Sequence, residues 1–430
     1  MSRKLAPIAP LSASNHNQAP QPLVGADADK RATIGLDMLT YEQLEQFGHE
    51  LDGVRQRVLD DLGQADADYI RRVIRVQQAA EILGRIGIFG LLVSPWIMVA
   101  GVVLLGLSKI LENMEIGHNV MHGQYDWMND PVVDGKRYEW DNVAPAQDWK
   151  HGHNFIHHTY TNIHGKDRDI GYGLLRIDAD QPWYPNHRFN LPLAFTLMLF
   201  FEWGVAYHGI ELDEYLAGKM TKSEFADRKS RAARKARRQL TKDFVAYPLV
   251  ALALVPFVGW WAPLAVMGAN FAANLIRNIW TFLIIFCGHF PAEVATFDEA
   301  DAENETRGQW YLRQLLGSAN ISGSRPFHIL TGNLSHQIEH HLFPDIPARR
   351  YPDVAVEVRA IVEQYGLQYN SGRLSRQLWS VTTQLGSYAR KPEDPYKQGK
   401  SPESKALRRA KREAEAARRD DQDRAPHLTA

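Results

Sequence analysis

Three histidine clusters restrict what this chain can fold into more than any other feature of the sequence. Each contains a pair of histidines four residues apart, and they read HNVMH (118–122), HNFIHH (153–158) and HQIEHH (336–341). Residues four apart lie on one face of an α-helix, so each cluster can present two or three imidazoles to a single point. Together the eight imidazoles exceed what one structural zinc site uses, which predicts two metal ions.

Long apolar blocks predict an integral membrane protein. Mean hydropathy is only −0.35 because polar ends dilute an apolar middle. A spanning helix needs about 20 predominantly apolar residues, and two blocks are long enough for a hairpin of two spans each. The four predicted spans are residues 76–93, 96–113, 244–260 and 264–288. A buried hairpin of a soluble protein is the alternative, and the absence of charge from residues 88–105 favours a span.

The predicted metal centre restricts the topology. All three clusters must lie on one side of the bilayer, so an even number of spans must separate the second from the third. A further apolar block, residues 191–210, is therefore expected to lie in the interface or re-enter, and it contains Glu202 and His208, which are costly in hydrocarbon. Residues 228–242 hold eight Lys and Arg and no acidic residue. The positive-inside rule then places the metal centre and both termini on the cytoplasmic side.

Composition divides the rest of the chain. Residues 1–36 are polar and predict a disordered leader without a signal peptide, and residues 37–75 predict cytoplasmic helices. Residues 76–350 form the predicted membrane domain, followed by further cytoplasmic helices over 351–390 and a charged tail over 391–430. The predicted fold class is an all-α integral membrane protein, with four transmembrane helices in two hairpins, an interfacial helix and a cytoplasmic helical cap that holds the metals.

Charge and cysteine content exclude other classes. The net charge of −1 gives no support for nucleic-acid binding. Cys287 is the single cysteine, which excludes an intrachain disulfide and a cysteine-rich metal site.

Imidazole ligands suit iron, zinc and copper. A zinc hydrolase uses three protein ligands and usually a carboxylate base. Glu339 is the carboxylate inside the third cluster, but on a helix its side chain points away from that of His340. A nitrogen-rich two-metal site at a membrane fits oxygen activation by two irons, which attacks an unactivated C–H bond of an apolar substrate.

The chain resembles the membrane fatty acid desaturase family, which is marked by three histidine boxes. GHNVMHGQYDW, HGHNFIHHTYTN and NLSHQIEHHLFP match those boxes in order over roughly residues 75–350. The resemblance implies a non-haem di-iron oxidoreductase that uses O2 to introduce a cis double bond into a fatty acyl chain. QIEHH leans toward the front-end and linoleoyl-CoA-desaturase-like branch of the family.

The resemblance also implies the site residues. The implied iron ligands are His118, His122, His153, His157, His158, His289, His336, His340 and His341. His336 is preferred to Gln337, which lies four residues before His341, because imidazole is the better iron ligand. Four further residues are alternative ligands or candidates for orienting the imidazoles: His164, Asp167, Asp169 and His328. Trp149, Tyr160 and Trp310 are candidates for lining an acyl channel.

The implied partners are a fatty acyl substrate, bound to CoA or lipid, the membrane lipid and an electron carrier. The chain has no HPGG motif of a fused haem domain, so a separate ferredoxin or small cytochrome with its reductase is expected, docking on residues 228–242. An acyl or lipid hydroxylase on the same scaffold is one alternative. A membrane metal-binding or transport protein is another, and it predicts charged residues within spans, which residues 88–105 and 244–260 do not contain.

Overall fold

The computed structural model describes residues 38–392. The predicted leader, and the predicted tail from residue 393 onward, lie outside the described residues. The described part is mostly helical, as predicted, with one short parallel pair of strands, β1 (Asn320–Ser322) and β2 (Ser371–Arg373).

The first three helices bring the chain to the apolar region: α1 (Tyr41–Asp60), α2 (Gln64–Gly87) and α3 (Pro95–Leu111). A capping box starts α1, in which the Thr40 hydroxyl accepts from the N–H of Gln43 and the Gln43 side chain accepts from the N–H of Thr40. Helices α2 and α3 pack so closely that a Cβ atom on Gly87 would lie 2.6 Å from Cα of Gly101. Small residues allow such an approach between helices.

The predicted span 76–93 does not form one helix. Helix α2 begins well before it, ends at Gly87, and is followed by a 3-10 turn at Gly90–Leu92. Ser94 caps α3 and Pro95 occupies its first turn, which explains the break. Helix α2 also carries charged side chains such as Arg85, and it is not among the described helices that are long and apolar enough to cross a membrane.

Between the two predicted hairpins, the chain forms several short helices. Helix α3 continues through a π-helical segment, Glu112–His118, into α4 (Asn119–Met121). Next come α5 (Ala146–Lys150), α6 (His158–Tyr160), α7 (Asn190–Leu199), α8 (Phe201–Ile210) and α9 (Leu212–Leu216). The predicted interfacial block 191–210 is thus two helices, and the chain bends there by 97°.

Three described helices are long and apolar enough to cross a membrane, or four if the bent pair counts as one span: Pro95–Met121, Lys222–Val258 and Ala262–His289. The second is composite, with α10 (Lys222–Thr241), a π-helical Lys242–Ala246, α11 (Tyr247–Val250), a 3-10 Ala251–Leu254 and α12 (Val255–Val258). The third is α13 (Ala262–His289), which matches the predicted span 264–288 closely.

Five helices complete the described chain: α14 (Arg307–Leu316), α15 (Arg325–Leu330), α16 (Gln337–Leu342), α17 (Tyr351–Gln364) and α18 (Leu374–Tyr388). Three of them, α14, α16 and α17, form a core with α1 around the third histidine cluster. Phe47 of α1, Leu312 of α14, Ile338 of α16 and Val358 of α17 belong to one buried hydrophobic cluster. Burial of this apolar surface holds the helix of the third histidine cluster in place.

Candidate metal centre

The first two histidine clusters lie in or beside π-helical turns. His118 ends the π-helical segment Glu112–His118, and His153 and His157 lie within a second one, His151–His157. A π-turn closes its hydrogen bonds between residues five apart and occurs mostly at functional sites. The rings of His153 and His157 stack with centroids 5.2 Å apart, so the wider turn still places both on one side.

Eight imidazoles converge and form two main groups: seven of the eight histidines in the three sequence clusters, together with His289. The ligand-capable atoms within each group all lie within 4.8 Å of one another. The first group consists of His118, His122, His153 and His340. The second consists of His157, His289 and His341. His158 lies near both groups, since it shares a further cluster with His340 and His341.

Many inward-facing ring nitrogens lack a protein partner. Nε2 of His122, His157 and His340 is buried without a hydrogen bond, as are both ring nitrogens of His158 and Nδ1 of His289. Buried polar atoms are rarely left unpaired, because each costs about 1–3 kcal/mol. Metal coordination would satisfy these atoms together, so the residues present fit a centre with two metal ions.

Hydrogen bonds on the far side of the rings fix their orientation. Nδ1 of His157 lies 2.9 Å from Oδ2 of Asp167, and Nδ1 of His341 lies 3.0 Å from Oε1 of Gln314. An oxygen acceptor at Nδ1 assigns the proton to that nitrogen and leaves the Nε2 lone pair for a metal. The predicted orienting role of Asp167 therefore agrees with its position.

Asp169 bridges two histidines at the same edge. Its Oδ1 lies 2.9 Å from Nε2 of His208, and its Oδ2 lies 3.8 Å from Nδ1 of His153. Burial opposes ionisation of Asp169, but bonds to His153 and His208 hold its pKa well below 3.8. Asp169 is thus an anion beside the first group, again where the sequence predicted an orienting residue.

Electrostatics keep most of the described cluster neutral. Burial, and then repulsion from neighbouring imidazoles, lower the pKa of His122, His158, His340 and His341 well below 6.5. Neutral imidazole is the form that binds a metal. His157 differs, because burial lowers its pKa but the adjacent Asp167 raises it to about 9.

The structure does not bring His336 to the cluster, so the preference for it over Gln337 is corrected. His336 is the residue before α16, with φ −101° and ψ 59°, and its ring packs against that of His328 at a tilt of 35°, with centroids 4.6 Å apart. Since the helix begins at Gln337, that residue and not His336 shares a face with His341. The Gln337 amide lies 2.9 Å from Nε2 of His289, and its Oε1 is buried without a partner.

The remaining residues that the sequence suggested for the site lie outside the two groups of histidines. His164 lies 3.7 Å from Asp178, away from the two groups, and His328 bonds the Ser335 hydroxyl at 2.6 Å. Trp310 belongs to the hydrophobic core around α16 rather than to a channel, and Tyr160 packs against that same core.

Sequence reasoning missed several residues that hold the ligands. Tyr351 places its hydroxyl 3.4 Å from Nδ1 of His340. Arg313 donates to the carbonyl oxygens of Thr159 and Thr161 and pairs with Glu305 at 2.7 Å, which anchors the end of the second cluster. No local motif marks these residues, because they lie far along the chain from the histidines they support.

A cavity leads from the histidines between α8 and α13. It encloses about 1020 Å³ of empty space, part of it open to solvent, and Trp149, Phe201 and Ile285 line it beside His153 and His289. The Trp149 ring stacks on that of His153, with centroids 4.5 Å apart. The predicted channel-lining position of Trp149 agrees with this placement. Aromatic and aliphatic walls suit an apolar ligand.

The family is decided by comparison with known proteins. Residues 94–373 match the model of the fatty acid desaturase family, which covers more than half of the chain. The chain belongs to the fatty acid desaturase family. This desaturase is therefore an oxidoreductase of fatty acid metabolism, as its histidine boxes predict.

Relatives of the desaturase act on several acyl substrates. An NADPH-dependent stearoyl-CoA 9-desaturase of Mycobacterium tuberculosis is 44% identical over 336 residues, which cover 78% of this chain and 77% of that protein. An sn-1 linoleoyl-lipid 6-desaturase of Synechocystis is 26% identical over 287 residues, covering 63% of this chain and 74% of that protein. An acyl-lipid (8-3)-desaturase of Mortierella alpina is 23% identical over 285 residues, covering 64% and 61%.

The basic side chains of residues 228–242 are only partly exposed to solvent. Arg228 bonds Glu211 at 2.9 Å, and Lys235 bonds Glu139 and the carbonyl of Trp140 at 2.6 Å, so both are buried in ion pairs. Lys229, Arg234 and Arg237 remain exposed. Part of the predicted docking charge therefore serves buried ion pairs within the protein and is not available to a partner.

Proposed function

We propose that this desaturase holds two iron ions among its histidines and uses O2 to introduce a cis double bond into a saturated acyl-CoA at carbon 9. The observation that carries the proposal is the set of converging imidazoles with buried, unpartnered nitrogens. The 44% identity to a stearoyl-CoA 9-desaturase supports the substrate and the position. The overall reaction joins one acyl chain, O2, two electrons and two protons to give the alkene and two waters.

The two groups of histidines provide the proposed ligands. His118, His122, His153 and His340 would hold one iron, and His157, His289 and His341 the other, with His158 near both. Gln337 would complete the second set through its unpartnered Oε1. Iron bound by these residues would activate O2, which is the oxidant for the two C–H bonds.

The protein's own residues position the reaction. Asp167 and Gln314 hold the rings of His157 and His341 so that their Nε2 atoms face inward. The cavity beside Trp149 has a largely apolar surface and would present one pair of methylene groups to the centre. Glu339 is not positioned as the general base that a hydrolase would need. Its carboxylate is buried and accepts hydrogen bonds from Asn320 and Tyr369.

We place the metal centre on the cytoplasmic side of the membrane, with residues 37–75 and 351–390 as cytoplasmic helices flanking a membrane domain over 76–350. Exposed basic residues such as Arg234 and Arg237 on α10, next to an apolar helix, support this orientation. In this topology α7 and α8 lie in the interface, and α2 with α3 forms the first hairpin. Electrons would originate from NADPH, as in the mycobacterial relative, and arrive on a separate carrier.

A front-end desaturase acting on lipid-bound linoleate is the second candidate, favoured by QIEHH in the third box and by the cyanobacterial relative. Profiling the fatty acids of cells with and without the protein tests both. A new double bond at carbon 9 of a saturated chain supports the proposal, and one at carbon 6 of linoleate supports the alternative. An alcohol in place of the alkene would identify a hydroxylase and overturn both.

A further inference from the structure

Two cavities of this desaturase meet at a buried ion pair. The first is the cavity that reaches the histidines. The second encloses about 830 Å³ of empty space, part of it open, between the bent pair α7–α8, α10 and α13. Glu202, Arg277 and Asn278 line both cavities. The two spaces therefore lie next to each other at these three residues.

The second cavity opens toward lipid. Its apolar lining includes Leu199, Phe200, Trp203, Leu240, Phe244 and Phe271. Phe200 and Phe271 are each 43% exposed, and Trp203 and Leu240 are nearly as exposed. Large apolar side chains exposed beside membrane-crossing helices face hydrocarbon rather than water. The exposed part of this lining is thus apolar, whereas the buried polar residues Lys109, Asp243 and Asn274 line the cavity together with the ion pair. A lipid acyl chain would have apolar contacts on the exposed side of the cavity.

The side chains that line both cavities also hold the bend between α7 and α8. Arg277 pairs with Glu202 at 2.5 Å and donates to the carbonyl of Asp141 at 3.1 Å. Asn278 donates to the carbonyl of Leu199 at 2.9 Å, at the end of α7 where the 97° bend interrupts the helix. Movement at this bend would separate Glu202 from Arg277 and join the cavities.

We propose that the second cavity is a lateral acyl-binding site and that the Glu202–Arg277 pair is the gate between it and the metal centre. The proposal rests on the proposed function. An acyl-CoA is amphipathic, so its acyl chain lies in the bilayer while its CoA head group stays in water. A path from the side of the protein would let the acyl chain reach the metal centre without passing through water. Replacing a buried ion pair by neutral groups is often tolerated, so the gate can be tested by substitution.

Photolabelling tests the site without requiring turnover. The probe is stearoyl-CoA with a diazirine at its methyl end, added to the full-length protein in phosphatidylcholine vesicles. We expect adducts on residues 240–244 and 271–275, which line the second cavity. Adducts confined to the first cavity, or spread over lipid-facing residues such as Trp96, would overturn the proposal.

Blocking the second cavity tests its use in the reaction. Leu275→Trp fills a position that lines only the second cavity, and Leu264→Trp places the same side chain on the exposed surface of the same helix. We expect Leu275→Trp to lower kcat/KM for stearoyl-CoA in vesicles by about tenfold or more at unchanged iron content, and Leu264→Trp to match the wild type. Equal rates in both variants would overturn the proposal. If Leu275→Trp loses iron, Leu275→Phe takes its place.

Neutralising the pair tests the gate. In Glu202→Gln/Arg277→Gln we expect labelling to spread to residues 281–289, which line the first cavity. The control is Arg55→Gln/Asp345→Asn, which removes an ion pair that lines neither cavity. Unchanged labelling in the first double variant would reject the gate. A wild type that labels in the second cavity but makes no alkene would reject the proposed function and leave the binding site standing.

Discussion

Oδ2 of Asp167 lies 2.9 Å from Nδ1 of His157, on the opposite side of the ring from the unpartnered Nε2. Asp167 also accepts from the backbone N–H groups of Asn162 and Asp169, so its own position is fixed. The carboxylate therefore sets both the tautomer and the direction of a proposed ligand.

Asp167→Asn should weaken iron binding because an amide orients the ring less strongly than a carboxylate. We expect iron affinity to fall by about 10–100-fold, measured as iron content against chelator concentration. Asp345→Asn is the control, since Asp345 accepts from Arg55 at 3.0 Å and belongs to none of the groups that could hold a metal ion. Equal iron retention in the two variants would contradict the assigned role of Asp167.

Gln337→Ala and His336→Ala should separate the two candidates for the lead position of the third box. Gln337 lies against His289, whereas the ring of His336 packs against that of His328. We expect Gln337→Ala to retain about one iron per chain, because one donor of the second group is lost, and His336→Ala to retain the wild-type amount. Metal analysis of the purified variants decides, and the reverse result would restore His336 as the ligand.

Asp66→Asn should reveal a pH-dependent contribution to stability. Asp66 is buried and accepts from Nε and NH2 of Arg350, both at 2.7 Å. Burial raises the pKa of Asp66, but the bonds to Arg350 and to the N–H of Gly63 lower it below 3.8 overall. The stabilisation is therefore complete above pH 3.8 and is lost as the pH falls through the lower pKa of the folded state.

We expect Asp66→Asn to lower the free energy of unfolding by about 1–3 kcal/mol at neutral pH. The difference from the wild type should be constant between pH 7 and 5 and shrink below 3.8, in unfolding measured in detergent. Asp61→Asn, which removes the exposed partner of the same arginine, should cost less than about 1 kcal/mol. A loss for Asp66→Asn that does not change with pH would show that packing, not charge, is responsible.

Gly87→Ala should destabilise the pairing of α2 with α3. The added Cβ would lie 2.6 Å from Cα of Gly101, so the helices must move apart. We expect a loss of about 1–3 kcal/mol in detergent unfolding. Gly268→Ala on α13 is the control, because nothing lies within 4 Å of its added Cβ, and it should gain up to about 1 kcal/mol from helix propensity. A similar loss in both variants would contradict close packing as the cause.

Sequence reasoning succeeded where the signal is local. Histidine spacing predicted seven of the eight converging imidazoles, and the resemblance to desaturases added the eighth, His289, whose Nε2 lies 3.4 Å from Nε2 of His341. Apolar length placed the span 264–288 within two residues of α13. The span 76–93 stays a prediction: its helix α2 begins at Gln64 and ends at Gly87, and Arg85 on α2 contacts the distant residues Asn270 and Asp243.

The sequence by itself determined the family and the helical class and predicted which histidines converge, because histidine spacing and runs of apolar residues are properties of neighbouring positions. Only the tertiary structure decided which other residues lie against the converging imidazoles. Gln337 takes a place among the imidazoles because α16 begins at that residue and not at His336. Gln314 and Tyr351 hold the rings of His341 and His340 from helices distant along the chain. Such contacts depend on how helices pack, and no local pattern of residues encodes them.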